Sequence, residues 1–239
     1  MSGEVKYRWR NSIAQSGMLG EISQVQVSFS HGYHAVSLMR KLLGIGFENA
    51  TIHGFEFVSP VVAGPGRKGP PEQETIIAAK HELALLDFDG KLGVYDFTRD
   101  QHRSWIRSQR ILVKGVRGEI DNSDIKYLKN FLTPVELELK RINTGEEGNM
   151  EGYYLKGIQA GGEWVYVNQF APASLSDDEI AVATCLAKMA GYVRGEPGFY
   201  SLAEASQDAY LALVIDKAMS SGEKQVTESQ IWSLKQGVY

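Results

Sequence analysis

The spacing of hydrophobic and polar positions changes along the chain, and the changes predict the order of its elements. Between residues 21 and 30 apolar side chains alternate with polar ones, as in a half-buried strand. Residues 34–44 instead repeat apolar side chains every three or four positions, which predicts a helix that ends at Gly44. Strand-like runs follow between residues 51 and 170. Further helices are predicted at 7–18, 177–193 and 202–222.

Turn and cap residues support these boundaries. Asp89-Gly90 separates two alternating runs and predicts a two-residue hairpin turn. Ser176, with Glu179 three residues later, predicts a capping box at the start of a helix. The early strand and helix, the long meander and the terminal helices together predict an α+β fold. We expect a large open, mainly antiparallel β-sheet flanked by helices, in a single domain over residues 1–239.

Composition and charge exclude several classes of protein. The formal net charge of −4 and a pI near 5.8 argue against a nucleic-acid partner, which would need a basic patch. No apolar run approaches the roughly 20 residues of a membrane helix. The charged start of the chain lacks the apolar centre of a signal peptide, so we expect a cytoplasmic protein. The only cysteine, Cys185, lies in a small-residue helical stretch and is predicted to be a buried structural thiol.

A glycine pattern typical of dinucleotide-binding loops occurs at Gly64, Gly66 and Gly69. That pattern binds pyrophosphate only between a strand and the N-terminus of a helix. Here Pro70-Pro71 follow, and the next predicted element is a strand. The segment is therefore interpreted as a flexible loop, and the sequence predicts no cofactor-binding residues in this chain.

Two histidines, His31 and His34, stand where the first strand gives way to a helix. A metal site needs three or four converging ligands, and the sequence offers no companion cluster, so no metal is expected. Two interpretations stay open. The pair belongs to a turn and is satisfied by backbone groups, or one histidine transfers protons at the carboxyl end of a strand, where open α/β sites collect reactive side chains.

A second polar cluster runs from residue 95 to residue 110. It is either a solvated edge or a face that binds a polyhydroxylated or anionic substrate, since guanidinium and carboxylate groups suit hydroxyls and carboxylates. Under the second interpretation the candidate binding residues are Tyr95, His102, Arg103 and Arg107, together with His31.

Three stretches resemble one known family. Residues 19–44, 104–122 and 201–222 are similar to the C-terminal domain of the glucose–fructose oxidoreductase/inositol dehydrogenase/MocA (Gfo/Idh/MocA) family. In that family a strand is followed by a glycine, a catalytic histidine two residues on, and a helix ending in Leu-x-Gly. Matching positions are Gly32, His34, Leu42, Leu43 and Gly44, and a later pattern matches at Arg110, Val113, Gly115, Gly118, Glu119 and Ile120. The resemblance covers nearly all of residues 10–222, the expected core of the domain.

The resemblance implies a partial enzyme. Family members carry a nicotinamide-binding Rossmann domain before this region and transfer hydride between a sugar- or cyclitol-like carbinol and NAD or NADP. Their C-terminal domain supplies substrate contacts and commonly a dimer face. It implies that His34 is the catalytic acid/base, that a separate Rossmann domain completes the enzyme, and that the chain forms a homo-oligomer through its sheet.

Two departures from the family pattern matter. The Rossmann domain and its lysine are absent from this sequence, and Ser30 and Ser37 stand where family members often carry aspartates that flank the histidine. Serine has no charge with which to raise the pKa of His34. The first hypothesis is a substrate-binding and oligomerisation domain that is inactive alone. The alternative is a stand-alone, non-catalytic binding or dimerisation module.

Overall fold

A computed structural model describes residues 5–66, 68–100, 104–145 and 152–233. In these residues the helices are α1 (Val5–Gln15), α2 (Gly32–Leu43), α3 (Asp177–Val193) and α4 (Leu202–Ser221). The strands are β1 (Ile22–Val27), β2 (Thr51–Val62), β3 (Ile76–Asp87), β4 (Leu92–Thr98), β5 (Ile111–Gly115), β6 (Gly118–Asp121), β7 (Asp124–Asn130), β8 (Thr133–Asn143), β9 (Leu155–Ala160), β10 (Glu163–Val167) and β11 (Gln225–Val226). The predicted α+β fold with a mainly antiparallel sheet is confirmed.

The chain forms two compact units, each built from two separate segments. The smaller unit contains residues 1–21 and 114–201, and the larger unit contains residues 22–113 and 202–239. In the smaller unit the strands follow the order β6, β7, β8, β9, β10, and neighbours are antiparallel. In the larger unit the order is β5, β1, β4, β3, β2, β11, and β1 is parallel to β4. The single domain expected from the sequence stays a prediction.

Two glycine turns behave as the sequence predicts. Asp89 and Gly90 have φ angles of 58° and 96°, and the Phe88 amide donates a 2.9 Å hydrogen bond to the Lys91 carbonyl, which closes the β3–β4 hairpin. The loop with Gly64, Gly66 and Gly69 connects β2 to β3, which pair antiparallel. No helix follows this loop, so it lacks the context of a pyrophosphate-binding turn.

One face of the sheet in the larger unit is covered by α2 and α4. A side chain at Gly93 of β4 would meet Met39 of α2 at 3.2 Å. A side chain at Gly54 of β2 would collide with the backbone of Met219 in α4. Strand register places Gly54 and Gly93 on the same face of the sheet. Both helices therefore pack directly on the strands of this face.

The opposite face of the same sheet is apolar and open. Phe55 and Leu85 lie on this face, with 60% and 47% of their surface exposed, and Phe57 beside them is 40% exposed. Side chains alternate between the two faces along a strand, so the helix-covered residues Ile52 and Leu86 are buried. The open face leaves large hydrophobic groups without cover in the single chain.

A buried ion pair joins α2 to α4. Arg40 and Asp208 are in direct contact, and only 7% and 1% of their side chains are exposed. The Arg40 Nε also donates a 3.0 Å hydrogen bond to the Gly46 carbonyl just beyond α2. Because the charges are removed from water, each needs the other to offset its desolvation.

The smaller unit contains the predicted capping box. The Ser176 hydroxyl accepts a hydrogen bond from the Glu179 amide, and the Glu179 carboxylate accepts one from the Ser176 amide, at 3.3 and 2.8 Å. The buried thiol expected at Cys185 is wrong, because α3 buries only a narrow side, with Ile180 and Thr184, and leaves Cys185 exposed. No helix in the described ranges is long and apolar enough to cross a membrane.

Removal of one charge from the buried pair should destabilise the protein strongly. Asp208→Ala leaves Arg40 buried without its carboxylate, and we expect the free energy of unfolding to fall by about 3–5 kcal/mol. Urea unfolding followed by circular dichroism measures this. The control is Lys41→Ala, which breaks the exposed Lys41–Glu204 pair and should cost less than about 1 kcal/mol. Equal losses in the two variants would contradict the assigned role of the buried pair.

Candidate functional site

The candidate site is organised by the parallel pairing of β1 with β4. Val25 is opposite Gly93 and Val27 is opposite Tyr95, so the carboxyl ends of the two strands lie side by side. The carboxyl ends of neighbouring parallel strands commonly form binding sites, because side chains from both loops meet there. Here the β1 end leads to His31, and the β4 end leads to Arg99.

A sharp turn between β1 and α2 fixes the first of these loops. Ser28 is tied to the neighbouring strand, since its hydroxyl donates a 3.0 Å hydrogen bond to Asp96. His31 is the N-cap residue of α2, and its side chain makes no capping hydrogen bond to the helix. Gly32 has a φ angle of 50°, in the left-handed region that favours glycine, and this lets the chain turn into the helix.

Tyr95 connects this turn to the neighbouring strand. Its hydroxyl donates a 2.9 Å hydrogen bond to Glu82 of β3 and accepts a longer one, 3.4 Å, from the Gly32 amide. Burial, together with the negative charge of Glu82, raises the pKa of Tyr95 above its ordinary value. Tyr95 therefore keeps its proton at physiological pH and acts as a fixed hydrogen-bonding group.

A cavity of about 410 Å³ opens beside this network. Strand β4 contributes Tyr95 and Phe97, and the start of α2 contributes His31 and Gly32. The remaining lining residues come from β3, α4 and the end of β4, and are Glu82, Asp216 and Arg99. The volume lies within the range of small-molecule sites, and the lining combines aromatic carbon with several charged groups.

The two histidines occupy different environments. His31 is exposed and lines the cavity, with its ring centroid 5.9 Å from that of Phe97. His34 is partly buried, and its ring centroid is 4.1 Å from Tyr33 and 5.3 Å from His31. Burial, and then the adjacent His31, lowers the pKa of His34 below its usual 6.5. His34 is therefore mainly neutral at pH 7 and able to accept a proton, although it is not among the residues that line the cavity.

Charged residues from three elements meet on the helix-covered face. Lys80 Nζ lies 2.6 Å from Glu56 and 3.7 Å from Glu82. Burial, and then the negative charge of Glu82, raises the pKa of Asp216 on α4. Sequence analysis did not select Glu82 or Asp216. A signal for Asp216 exists, because it is an acid within the otherwise apolar run LALVIDKAM.

The other candidates from the sequence are only partly brought together. Tyr95 and His31 line the cavity as expected. Arg107 does not line it, and its guanidinium lies 3.7 Å from Asp100. His102 and Arg103 lie outside the described residues. Among the described residues no group of three or more histidine, cysteine or acidic side chains is arranged to hold a metal ion.

Comparisons with known proteins identify the fold. The sequence matches no protein-family model and no curated protein. Solved structures do match. They include an NAD-binding oxidoreductase from Klebsiella pneumoniae (12% identity, 96% of this chain and 65% of that one, TM-score 0.54), levoglucosan dehydrogenase in its apo form (12%, 95% and 66%, 0.55) and a putative myo-inositol dehydrogenase from Sinorhizobium meliloti (14%, 94% and 62%, 0.52).

These matches are partial in length and low in sequence identity, so they establish a shared fold. The chain spans 62–66% of the length of the three solved proteins, and at 12–14% identity the likeness is one of fold. The resemblance carried by the three sequence stretches is thus confirmed at the level of structure. The chain has the fold of the C-terminal domain of NAD-binding oxidoreductases of the Gfo/Idh/MocA type.

Proposed function

We propose that this chain is the substrate-binding part of an NAD- or NADP-dependent oxidoreductase that acts on a small polyhydroxylated carbinol of the sugar or cyclitol kind. One observation carries the proposal: the polar cavity at the carboxyl ends of β1 and β4, which His31, Tyr95 and Glu82 line. The structural neighbours include levoglucosan dehydrogenase and a putative myo-inositol dehydrogenase, and both names denote polyhydroxylated compounds. Cytoplasmic location is part of the same proposal.

The nicotinamide cofactor belongs, in this proposal, to a separate Rossmann domain. The glycine-rich loop between β2 and β3 does not fit a dinucleotide, because no helix N-terminus follows it to receive the pyrophosphate. The cofactor supplies the hydride acceptor or donor. This chain's own residues bind and orient the substrate and handle the hydroxyl proton.

Within the cavity the proposed roles follow from protonation. Tyr95 keeps its proton and accepts from the Gly32 amide, so it holds the turn and orients Glu82. Glu82 and Asp216 accept hydrogen bonds from substrate hydroxyls. His34 is proposed as the acid/base because its lowered pKa leaves it neutral. His31, which lines the cavity next to His34, is proposed to contact the substrate directly.

A second candidate is a non-catalytic binding or dimerisation module. The open apolar face of the larger unit, with Phe55, Phe57 and Leu85, favours self-association. Ser30 and Ser37 supply no carboxylate beside His34, which fits a module without chemistry. Both candidates share self-association through the sheet, which we propose for this chain.

The cavity should bind neutral polyols. We expect D-sorbitol or myo-inositol to shift the NMR signals of His31 and Gly32 in the full chain. Tyr95→Phe removes the hydroxyl that links Glu82 to Gly32. The dissociation constant of the polyol should therefore rise about tenfold, which is the effect of losing one hydrogen bond to a charged group. Tyr153→Phe, at an exposed tyrosine of the smaller unit, is the control. Absence of polyol binding would refute the substrate site.

The imidazole of His34 should titrate below pH 6.5. The midpoint of the His34 titration is measured by NMR of the ring protons between about pH 4.5 and pH 8, a range that brackets the pKa of an ordinary histidine. His31→Gln removes one cause of the shift and should raise the midpoint, whereas His53→Gln, at an exposed histidine of β2, should not. Since the folded form binds fewer protons than the unfolded one, the free energy of unfolding should rise as pH increases towards 6.5. A midpoint above 6.5 would contradict the assignment.

The chain should self-associate through its open face. Light scattering at micromolar concentration is expected to report at least a dimer, because exposed phenylalanine and leucine side chains gain by burial. Phe55→Ser with Leu85→Ser should raise the dissociation constant at least about tenfold. Leu213→Ser, at an exposed leucine of α4, is the matched control. If the wild-type chain is monomeric, or if only the control variant dissociates, the sheet is not the interface.

A further inference from the structure

The cavity of the larger unit carries opposite charges on different elements. Two carboxylates line it, Glu82 from β3 and Asp216 from α4. A guanidinium lines it as well, from Arg99 immediately after β4. His31 from the start of α2 completes the polar lining. A ligand that matches this arrangement needs hydroxyl donors for the carboxylates and an anionic group for the guanidinium.

The charged groups of the cavity differ in how many hydrogen bonds and ion pairs they already make within the protein. Glu82 accepts the Tyr95 hydroxyl at 2.9 Å and lies 3.7 Å from Lys80, whose own nearest partner is Glu56. Within the described part of the chain, the side chains of Arg99 and Asp216 each make no hydrogen bond and no ion pair within 4.0 Å. The two groups that the fold leaves for a ligand are thus one cation and one anion.

We propose that the ligand of this cavity is a small polyhydroxylated carboxylate of the sugar-acid class, bound with its carboxylate on Arg99 and its hydroxyls on Asp216 and Glu82. This inference rests on the proposed function and narrows its substrate class. A guanidinium binds a carboxylate through two parallel hydrogen bonds, which neutral hydroxyls cannot match. A cavity of about 410 Å³ accommodates a six-carbon chain.

Two other ligand classes fit the charges less well. A neutral polyol satisfies the carboxylates and leaves the guanidinium to water. An amino-polyol can place its ammonium on Asp216, but it adds a second cation to the cavity that holds Arg99 and leaves the guanidinium without an anion. Lys80 does not serve as an alternative anion site, because its ammonium is paired with Glu56 at 2.6 Å. The three classes make different predictions for one matched ligand series.

The experiment compares D-gluconate, D-sorbitol and D-glucamine, which share a five-hydroxyl six-carbon chain and differ at C1. Dissociation constants are measured by NMR titration of the full chain at low ionic strength. We expect gluconate to bind at least tenfold more tightly than sorbitol, and glucamine to bind no more tightly than sorbitol. The advantage of gluconate should shrink as salt is added, because the ion pair with the exposed Arg99 is screened.

Variants identify the group responsible. Arg99→Gln should remove the preference for gluconate over sorbitol, whereas Arg99→Lys should keep part of that preference. Arg107→Gln is the control, since this nearby arginine does not line the cavity. Retained two-dimensional amide spectra establish that each variant is folded, and Arg99 is exposed enough to be replaced without loss of packing.

The outcomes separate the inference from the function on which it rests. Equal binding of sorbitol and gluconate, or a preference for glucamine, overturns the sugar-acid assignment while the polyol site stands. A gluconate preference that survives in Arg99→Gln also overturns it, because another cation is then responsible. If none of the three compounds binds, the proposed function fails and this inference fails with it.

Discussion

The parallel pairing of β1 with β4 is the constraint on which the site depends. In an antiparallel pair the two carboxyl ends would lie at opposite ends of the strands. His31 and Arg99 could then not share one cavity. A parallel pair needs a crossover, and the chain supplies it with α2, the long β2–β3 hairpin and the Asp89-Gly90 turn. The antiparallel strands β3 and β2 then place Glu82 and Glu56 level with Phe97, near the carboxyl end of β4.

A second constraint positions α4, which contributes Asp216. Gly54 allows the helix backbone to touch β2, and the Arg40–Asp208 pair ties it to α2. Neither contact is part of the cavity. Both contacts nevertheless fix the position of Asp216 in the cavity lining, because Asp216 lies on the same helix, about two turns from Asp208 and close to Met219.

The local elements were largely predictable, because they depend on short-range physics. The left-handed glycine at Gly44, the Asp89-Gly90 turn and the Ser176 capping box are each specified by a few neighbouring residues. Residues 110–121 form two strands, β5 and β6, with a tight turn between them. The strand β7 (DIKYLKN) carries little apolar alternation, and its pairing with β6 and β8 determines its conformation.

The site was predictable only in part, because its residues come from distant parts of the sequence. His31, Gly32 and Tyr95 could be selected from motifs and local chemistry. Glu82 and Asp216 could not, since strand register and helix packing bring them to the cavity. Cys185 shows the converse error. Its apolar neighbours are those of a buried helix, yet most of α3 stays exposed.

The division of each unit between two chain segments has a consequence for how the protein forms. Arg40 and Asp208 are 168 residues apart, and the α4 wall of the cavity is synthesised only after the whole of residues 114–201, which belong to the other unit. During translation, β1 to β4 leave the ribosome long before α4 can cover them, and their helix-facing side stays exposed for that interval. Such long-range closure slows folding and leaves apolar strands open to aggregation. The nascent chain is therefore expected to depend on chaperones until α4 emerges.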